Sequence, residues 1–206
     1  MTILFPFPGN ESFAELLIAG GRCERGQMMI RNFPDGASLV RIESDIKGKT
    51  AVVLCTLDRP DEKAMSLMFF AETARELGAK SVKLIAPYLG YMRQDKRFHE
   101  GESVTSNIFA DFLSQNFDSL ITVDPHLHRH KDMREIYKVP VTVVHAADAI
   151  AIWIRKNVEK PVLIGPDEES DQWVKDIAKK AQAPYTVLTK IRRGDHDVEV
   201  SVPDID

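Results

Sequence analysis

Ser81 to Glu102, SVKLIAPYLGYMRQDKRFHEGE, is the stretch on which the fold is read. Its opening, Ser81-Val-Lys-Leu-Ile-Ala86, is a short apolar run bounded by turn residues and predicts a buried strand. The remainder, Pro87 to Glu102, carries Arg93, Lys96 and Arg97 close together, with Gln94 and Asp95 between them. A helical pattern begins near Ser103. Open α/β folds bind ligands in loops beyond the carboxyl ends of parallel strands. A cationic cluster in such a loop points to a polyphosphate, because guanidinium forks bind phosphate oxygens bidentately. A solvated charged turn has the same composition, and the cluster alone does not choose between the two.

Strand and helix patterns alternate on both sides of this stretch. Ile3 to Phe5 reads as a strand, followed by a helix from Asn10 or Ser12 to about Ala19 that Gly20-Gly21 would end. Gln27 to Phe33 and Ser38 to Ile42 read as strands joined by Pro34-Asp35-Gly36, where Pro presets φ and Gly supplies positive φ. Thr50 to Cys55 is a buried strand. Asp61 to Leu77 is a helix with Gly78 just past its end. Ser103 to Asn116 is a helix for which Ser103 and Thr105 are the candidate caps. Further strands are expected at Leu120 to Val123, Val139 to Val144, Pro161 to Ile164 and Tyr185 to Leu188, with helices at Ala146 to Asn157 and Glu169 to Ala181. The tail from Lys190 to Asp206 is charged, with one alternating stretch, Val198 to Val202.

The alternation predicts an α/β fold, with a mainly parallel sheet covered by helices on both faces. A seam near residue 145 separates a complete domain, 1–145, from the beginning of a second one, 146–206. Two hundred and six residues suffice for one large domain or one and a half smaller ones. A net charge of -4 argues against a dedicated nucleic-acid binder. There is no run of about 18 apolar residues to span a membrane. The N-terminus lacks a basic region, is broken by Pro6 and Pro8, and does not read as a signal peptide. Two cysteines, Cys23 and Cys55, make no disulfide framework and point to a reducing, cytoplasmic setting.

Candidate chemistry gathers at strand ends. Asp124 and His126 follow one strand and Asp167 another. A sparse imidazole-plus-carboxylate set suits Mg²⁺ on a nucleotide, since Mg²⁺ with phosphates takes one or two protein ligands and keeps waters. His126, His128 and His130 alternate and invite a zinc reading, but no cysteine or carboxylate at finger spacing supports it. Solvated loop histidines are the plainer account of His128 and His130. Lys190, Arg192 and Arg193 form a second cationic group. They suit a loop that neutralises charge during phosphoryl-type transfer, or a surface hairpin. Walker, GxGxxG, GxSxG and HExxH signatures are absent from the sequence.

Taken together, Asn32-Phe33-Pro34-Asp35-Gly36, Pro87-Tyr-Leu-Gly-Tyr-Met-Arg-Gln-Asp-Lys-Arg97, Val123-Asp-Pro-His126, Gly165-Pro-Asp167 and Lys190-Ile-Arg192 resemble the motifs of ribose-phosphate diphosphokinases, or phosphoribosyl pyrophosphate synthetases. Order and spacing match along essentially the whole chain. The resemblance implies phosphoribosyltransferase-like domains and transfer of pyrophosphate from Mg²⁺-ATP to O1 of ribose 5-phosphate. It implies that Arg93 and Gln94 contact ATP, that His126 and Asp167 position Mg²⁺-ATP, and that Lys190 and Arg192 stabilise the transferring group. It implies that Phe33 and Asp35 contact adenine in the site of a neighbouring subunit, hence a homo-oligomer. Neither nucleic acid nor membrane is an expected partner.

Three positions depart from the family pattern. Ala37 stands where the family usually has Glu after the Asp-Gly turn, which removes a carboxylate facing the adenine amino group. Pro125 replaces Leu between Asp124 and His126 and leaves both in place. The family's ribose-phosphate loop, an Asp pair followed by a Thr- and Gly-rich turn, would fall beyond residue 206. Residues 1–206 alone are therefore not expected to be competent. A non-catalytic associated subunit is the alternative that Ala37 and the missing loop raise. A base-accepting phosphoribosyltransferase fits less well, since such enzymes lack the Arg-Gln loop.

Overall fold

The computed structural model describes residues 1–192 and 198–201, with side chains described through residue 188. The chain divides into two compact units, Met1–Val144 and His145–Asp206.

In the first unit β1 (Thr2–Pro6) leads through α1 (Glu11–Ala19) to β2 (Glu24–Arg25). A hairpin follows, β3 (Met28–Asn32) and β4 (Ser38–Ile42), and then β5 (Thr50–Leu54), α2 (Pro60–Glu76) and β6 (Ser81–Ala86). The unit closes with α3 (Thr105–Asn116), β7 (Ser119–Val123), a 3-10 turn over Met133–Glu135, and β8 (Val141–Val144). Six strands form one sheet in the order β2-β1-β5-β6-β7-β8, and every neighbouring pair is parallel. The β3–β4 hairpin is a separate antiparallel pair, with Asn32 opposite Ser38.

Strand alternation sorts the core into two layers. Ile3, Phe5, Val53, Val82 and Leu84 face one way and pack with Leu67, Phe70 and Ala74 of α2 and Phe109 and Leu113 of α3. Phe70 meets Phe5 edge-on, with ring centroids 5.1 Å apart. Leu4, Val52 and Leu54 face the other way, against Ala14, Leu17 and Ile18 of α1. Gly26 follows β2, and Phe5 leaves no room for a side chain there: a Cβ would lie 2.3 Å from its ring.

The second unit holds α4 (Ala147–Asn157), β9 (Leu163–Gly165), a 3-10 turn over Glu168–Ser170, α5 (Asp171–Ala181) and β10 (Tyr185–Val187). β9 and β10 pair in parallel. β11 (Thr189–Arg192) and β12 (Val198–Ser201) form an antiparallel hairpin.

Several expected details differ. Neither Ser103 nor Thr105 caps α3: Val104 occupies that position, and the two hydroxyls lie 2.9 Å apart as partners of each other. Asn10 starts α1 without a side-chain cap bond, because its Oδ1 accepts from the Thr56 N–H and hydroxyl at 3.0 and 2.7 Å. β9 starts two residues later than the apolar run, beyond Pro161, which lacks the N–H a ladder needs.

Candidate functional site at the ends of the parallel strands

The strand order reverses between β1 and β5, where the chain winds outward to β2 on one side and to β5 through β8 on the other. Such a switch point is the usual ligand crevice of an open α/β sheet. Here it is stitched by internal bonds. Asn10 spans from the loop after β1 to Thr56 after β5, and Lys63 Nζ donates to the Thr56 carbonyl at 2.7 Å. The long loops that carry the candidate residues follow β6 and β7 instead.

After β6 the chain makes a tightly held turn. Tyr91 adopts φ 64°, uncommon for a residue with a side chain. Its ring packs edge-on against Phe109 at 5.0 Å, and its hydroxyl donates to Asp61. That hydrogen bond to Asp61 raises the phenol's pKa above its ordinary value. Gly90 has no space for a side chain, since a Cβ would sit 2.8 Å from the Leu57 carbonyl oxygen and from Pro60. Met92 is buried, Arg93 and Gln94 are exposed, and Asp95 is buried. The exposed pair is thus presented between two buried anchors. Main-chain bonds from Gln94 N–H to Tyr91 (2.9 Å) and from Ser106 N–H to Gln94 (3.2 Å) fix its backbone.

Beyond the turn, Phe98 gathers cations. Lys96 Nζ lies 4.8 Å and the Arg129 guanidinium 5.7 Å from its ring centroid, within cation–π range. A cleft of about 540 Å³ is lined by Gln94, Lys96, Phe98, His99, Glu102 and Ser103.

The loop after β7 runs alongside. Asp124 adopts φ 39°, a conformation Asp tolerates better than most residues, and its N–H donates to the Val144 carbonyl at 3.1 Å. Pro125 is buried and His126 half-buried. The His126 and His128 rings stand 6.0 Å apart. His130 is not a solvated loop residue: it is largely buried, with Nδ1 3.3 Å from Glu135. No group of three or more His, Cys, Asp or Glu is placed to hold a metal among the described residues. Asp132 turns this loop into its 3-10 turn, and hydrogen bonds from Arg134 hold its carboxyl down at about 2.

Phe33 and Asp35 sit at the tip of the β3–β4 hairpin, where residues 31–37 are all exposed. The Arg31 guanidinium stacks over Phe33 at 4.8 Å. Asp35 Oδ1 accepts from the Ala37 N–H at 3.0 Å, so the carboxylate closes its own turn.

In the second unit Asp167 caps the 3-10 turn, its carboxylate accepting from the Ser170 N–H at 3.1 Å. Gly165 is needed for that closure, because a Cβ would lie 2.5 Å from the Ser170 hydroxyl. Lys190 and Arg192 lie on β11; their side chains fall outside the described residues, as does the backbone of Arg193 and Gly194. The structure therefore brings Arg93, Gln94 and His126 onto neighbouring loops of one unit and places Phe33 and Asp35 on a separate hairpin of that unit. Gly90, Asp95 and Arg129 were not singled out as site residues in the sequence. A glycine inside an otherwise bulky loop was the only local signal for any of them.

The family described as the N-terminal domain of ribose phosphate pyrophosphokinase matches residues 2–116. A ribose-phosphate pyrophosphokinase of Methanobrevibacter smithii is 34% identical over 178 residues, which cover 85% of this chain and 59% of the relative. That of Saccharolobus solfataricus is 35% identical over 162 residues, covering 78% of this chain and 55% of the relative. The chain thus spans less than two thirds of the length of these relatives. A crystal structure of phosphoribosylpyrophosphate synthetase from Mycobacterium smegmatis superposes with a TM-score of 0.81 at 21% identity, covering 98% of this chain and 67% of that one, which bears on the fold. Among the described residues no helix is long and apolar enough to cross a membrane.

Proposed function

The chain belongs to the ribose-phosphate pyrophosphokinase family through its N-terminal domain, and we propose that the protein transfers pyrophosphate from ATP to ribose 5-phosphate. O1 of the sugar attacks the β-phosphorus, the bond to the α-phosphate oxygen breaks, and AMP leaves with phosphoribosyl pyrophosphate as the other product. The observation that carries this is the exposed Arg93–Gln94 pair, fixed between buried Met92 and Asp95 beside the loop of His126. Phosphoryl-type transfer asks for positioning and charge neutralisation more than for covalent chemistry by the protein.

In this account Arg93 grips the ATP phosphates and Gln94 contacts the nucleotide. His126 and Asp167 are assigned to Mg²⁺-ATP. The donors fit Mg²⁺ in one respect: they are few, as suits an ion that keeps waters and phosphate oxygens. Bound there, Mg²⁺ would neutralise phosphate charge during the transfer. Lys190 and Arg192 are assigned to the charge on the transferring group. Phe33 and Asp35, on an exposed hairpin tip, are assigned to the adenine of a second copy, which makes the protein a homo-oligomer. Cys23 and Cys55 are free thiols, in keeping with a cytoplasmic setting.

The test is direct. The intact protein, given Mg²⁺, ATP and ribose 5-phosphate, should release AMP, and no AMP would end this assignment. One observation favours a second role, a non-catalytic associated subunit. Position 37 is Ala, and the Asp35 carboxylate is engaged with the Ala37 N–H. Obligatory co-purification with a second synthetase-like chain, with no activity alone, would select that role.

A further inference from the structure

We propose that the Asp95–Arg129 ion pair is a positioning element, which sets the Arg93–Gln94 turn against the His126 loop; its catalytic consequence rests on the function proposed above. Asp95 Oδ1 accepts from Arg129 Nη1 at 2.7 Å across 34 positions of sequence. The Asp95 side chain is 1% exposed and that of Arg129 37% exposed, so the carboxylate is the buried partner and the guanidinium reaches in from the surface. Asp95 Oδ2 is buried with no hydrogen-bond partner. The carboxylate therefore depends on Arg129, and a buried charge that loses its counter-ion is strongly disfavoured.

The placement of the pair gives it a role beyond packing. Asp95 directly follows Gln94, and Arg129 lies three positions after His126. Each partner stands within three positions of a residue assigned to ATP, on a different loop. Main-chain pairing joins the roots of these loops, where the Val123 N–H approaches the Pro87 carbonyl at 3.4 Å. Toward their tips, Asp95–Arg129 and the Arg129–Phe98 contact at 5.7 Å provide the crosslinks. A guanidinium does both at once, because its plane stacks while its N–H groups donate. If the pair opens, the Arg93–Gln94 turn keeps its own bonds but loses its reference to His126. Misplacement of a reacting group by about 1 Å can cost roughly a hundredfold in rate.

The experiment uses the intact protein with Arg129→Gln, Asp95→Asn, the double variant and Arg129→Lys. Each single change should lower kcat by about 10- to 100-fold. The KM for ribose 5-phosphate should move by less than about threefold, since both residues that the pair would position are assigned to ATP. The double variant should be no worse than the worse single one, because one interaction is lost in all three. Arg129→Lys should restore part of kcat by supplying a charge. Independently of turnover, Arg129→Gln should speed amide exchange across residues 93–98, and Asp95→Asn across residues 126–130. If exchange in both segments is unchanged while only the melting temperature falls, the pair is merely structural and the proposal is overturned. Additive losses in the double variant would overturn it as well. Should the unaltered protein release no AMP, the assigned reaction fails, and exchange alone decides whether the pair orders the two loops.

Discussion

The two units differ in what they bury. In the first, Phe5, Phe7, Phe70, Phe117, Leu57 and Leu84 are almost completely excluded from solvent. In the second, the fully buried apolar residues among those described are four alanines, Ala147, Ala151, Ala178 and Ala181. Several of its larger apolar side chains lie outward: Ile152 is 45%, Trp153 60% and Ile164 51% exposed. Burial of a large apolar side chain contributes roughly 1.5–3 kcal/mol, and of Ala much less. The first unit thus has a core sufficient to hold a site rigidly, whereas among the described residues of the second the buried apolar side chains are all small. The first unit carries Arg93 and Gln94, assigned to gripping ATP. The other carries Lys190 and Arg192, assigned to the transfer step.

The largest effect should come from breaking the rigid core. Phe70→Ala removes a ring packed on Phe5 and Phe7 and should cost about 3–5 kcal/mol, read from denaturant unfolding. A loss under about 1 kcal/mol would mean the first unit is not the stable half. Next, Lys190→Ala should lower kcat by about 100- to 1,000-fold while the ATP Kd moves little, as for a group that acts mainly on transition-state charge. A weakened Kd with kcat unchanged would place Lys190 in binding and erase the functional contrast between the units. Gly90→Ala should cost about 1–3 kcal/mol through overpacking against the Leu57 carbonyl and Pro60, and should weaken ATP binding by displacing the turn. Unaltered stability and affinity would show the loop to be slack. The smallest effect belongs to the second unit. Trp153→Ala should change stability by no more than about 0.5 kcal/mol, and a larger loss would reveal burial that the chain alone does not contain.

How far this was legible in the sequence follows the range of the forces. β6 could be placed to the residue because its apolar run is bounded on both sides. The β3–β4 hairpin could be placed because Pro34-Asp35-Gly36 specifies a turn locally, and Gly36 does adopt φ 88°. β2 left no trace: Glu24 and Arg25 are both exposed and are a strand only because Ile3 and Leu4 offer a parallel edge. Ser103, Thr105 and Asn10 misled because capping depends on what else their side chains find. Asn10 finds Thr56, 46 positions away. The site divides in the same way. Arg93, Gln94 and His126 stand in recognisable motifs, and contiguous strands deliver them to one edge. The Asp95–Arg129 pair joins two loops through the fold and carries no local pattern at all.

The proposed function has the turn after β6 grip ATP. Calorimetric titration of the intact protein with Mg²⁺-ATP, unaltered and as Arg93→Ala, tests it most directly. Loss of a charge-assisted contact to phosphate predicts a Kd raised about tenfold or more, with the fold and melting temperature retained. An unchanged Kd in a folded Arg93→Ala protein would contradict the claim.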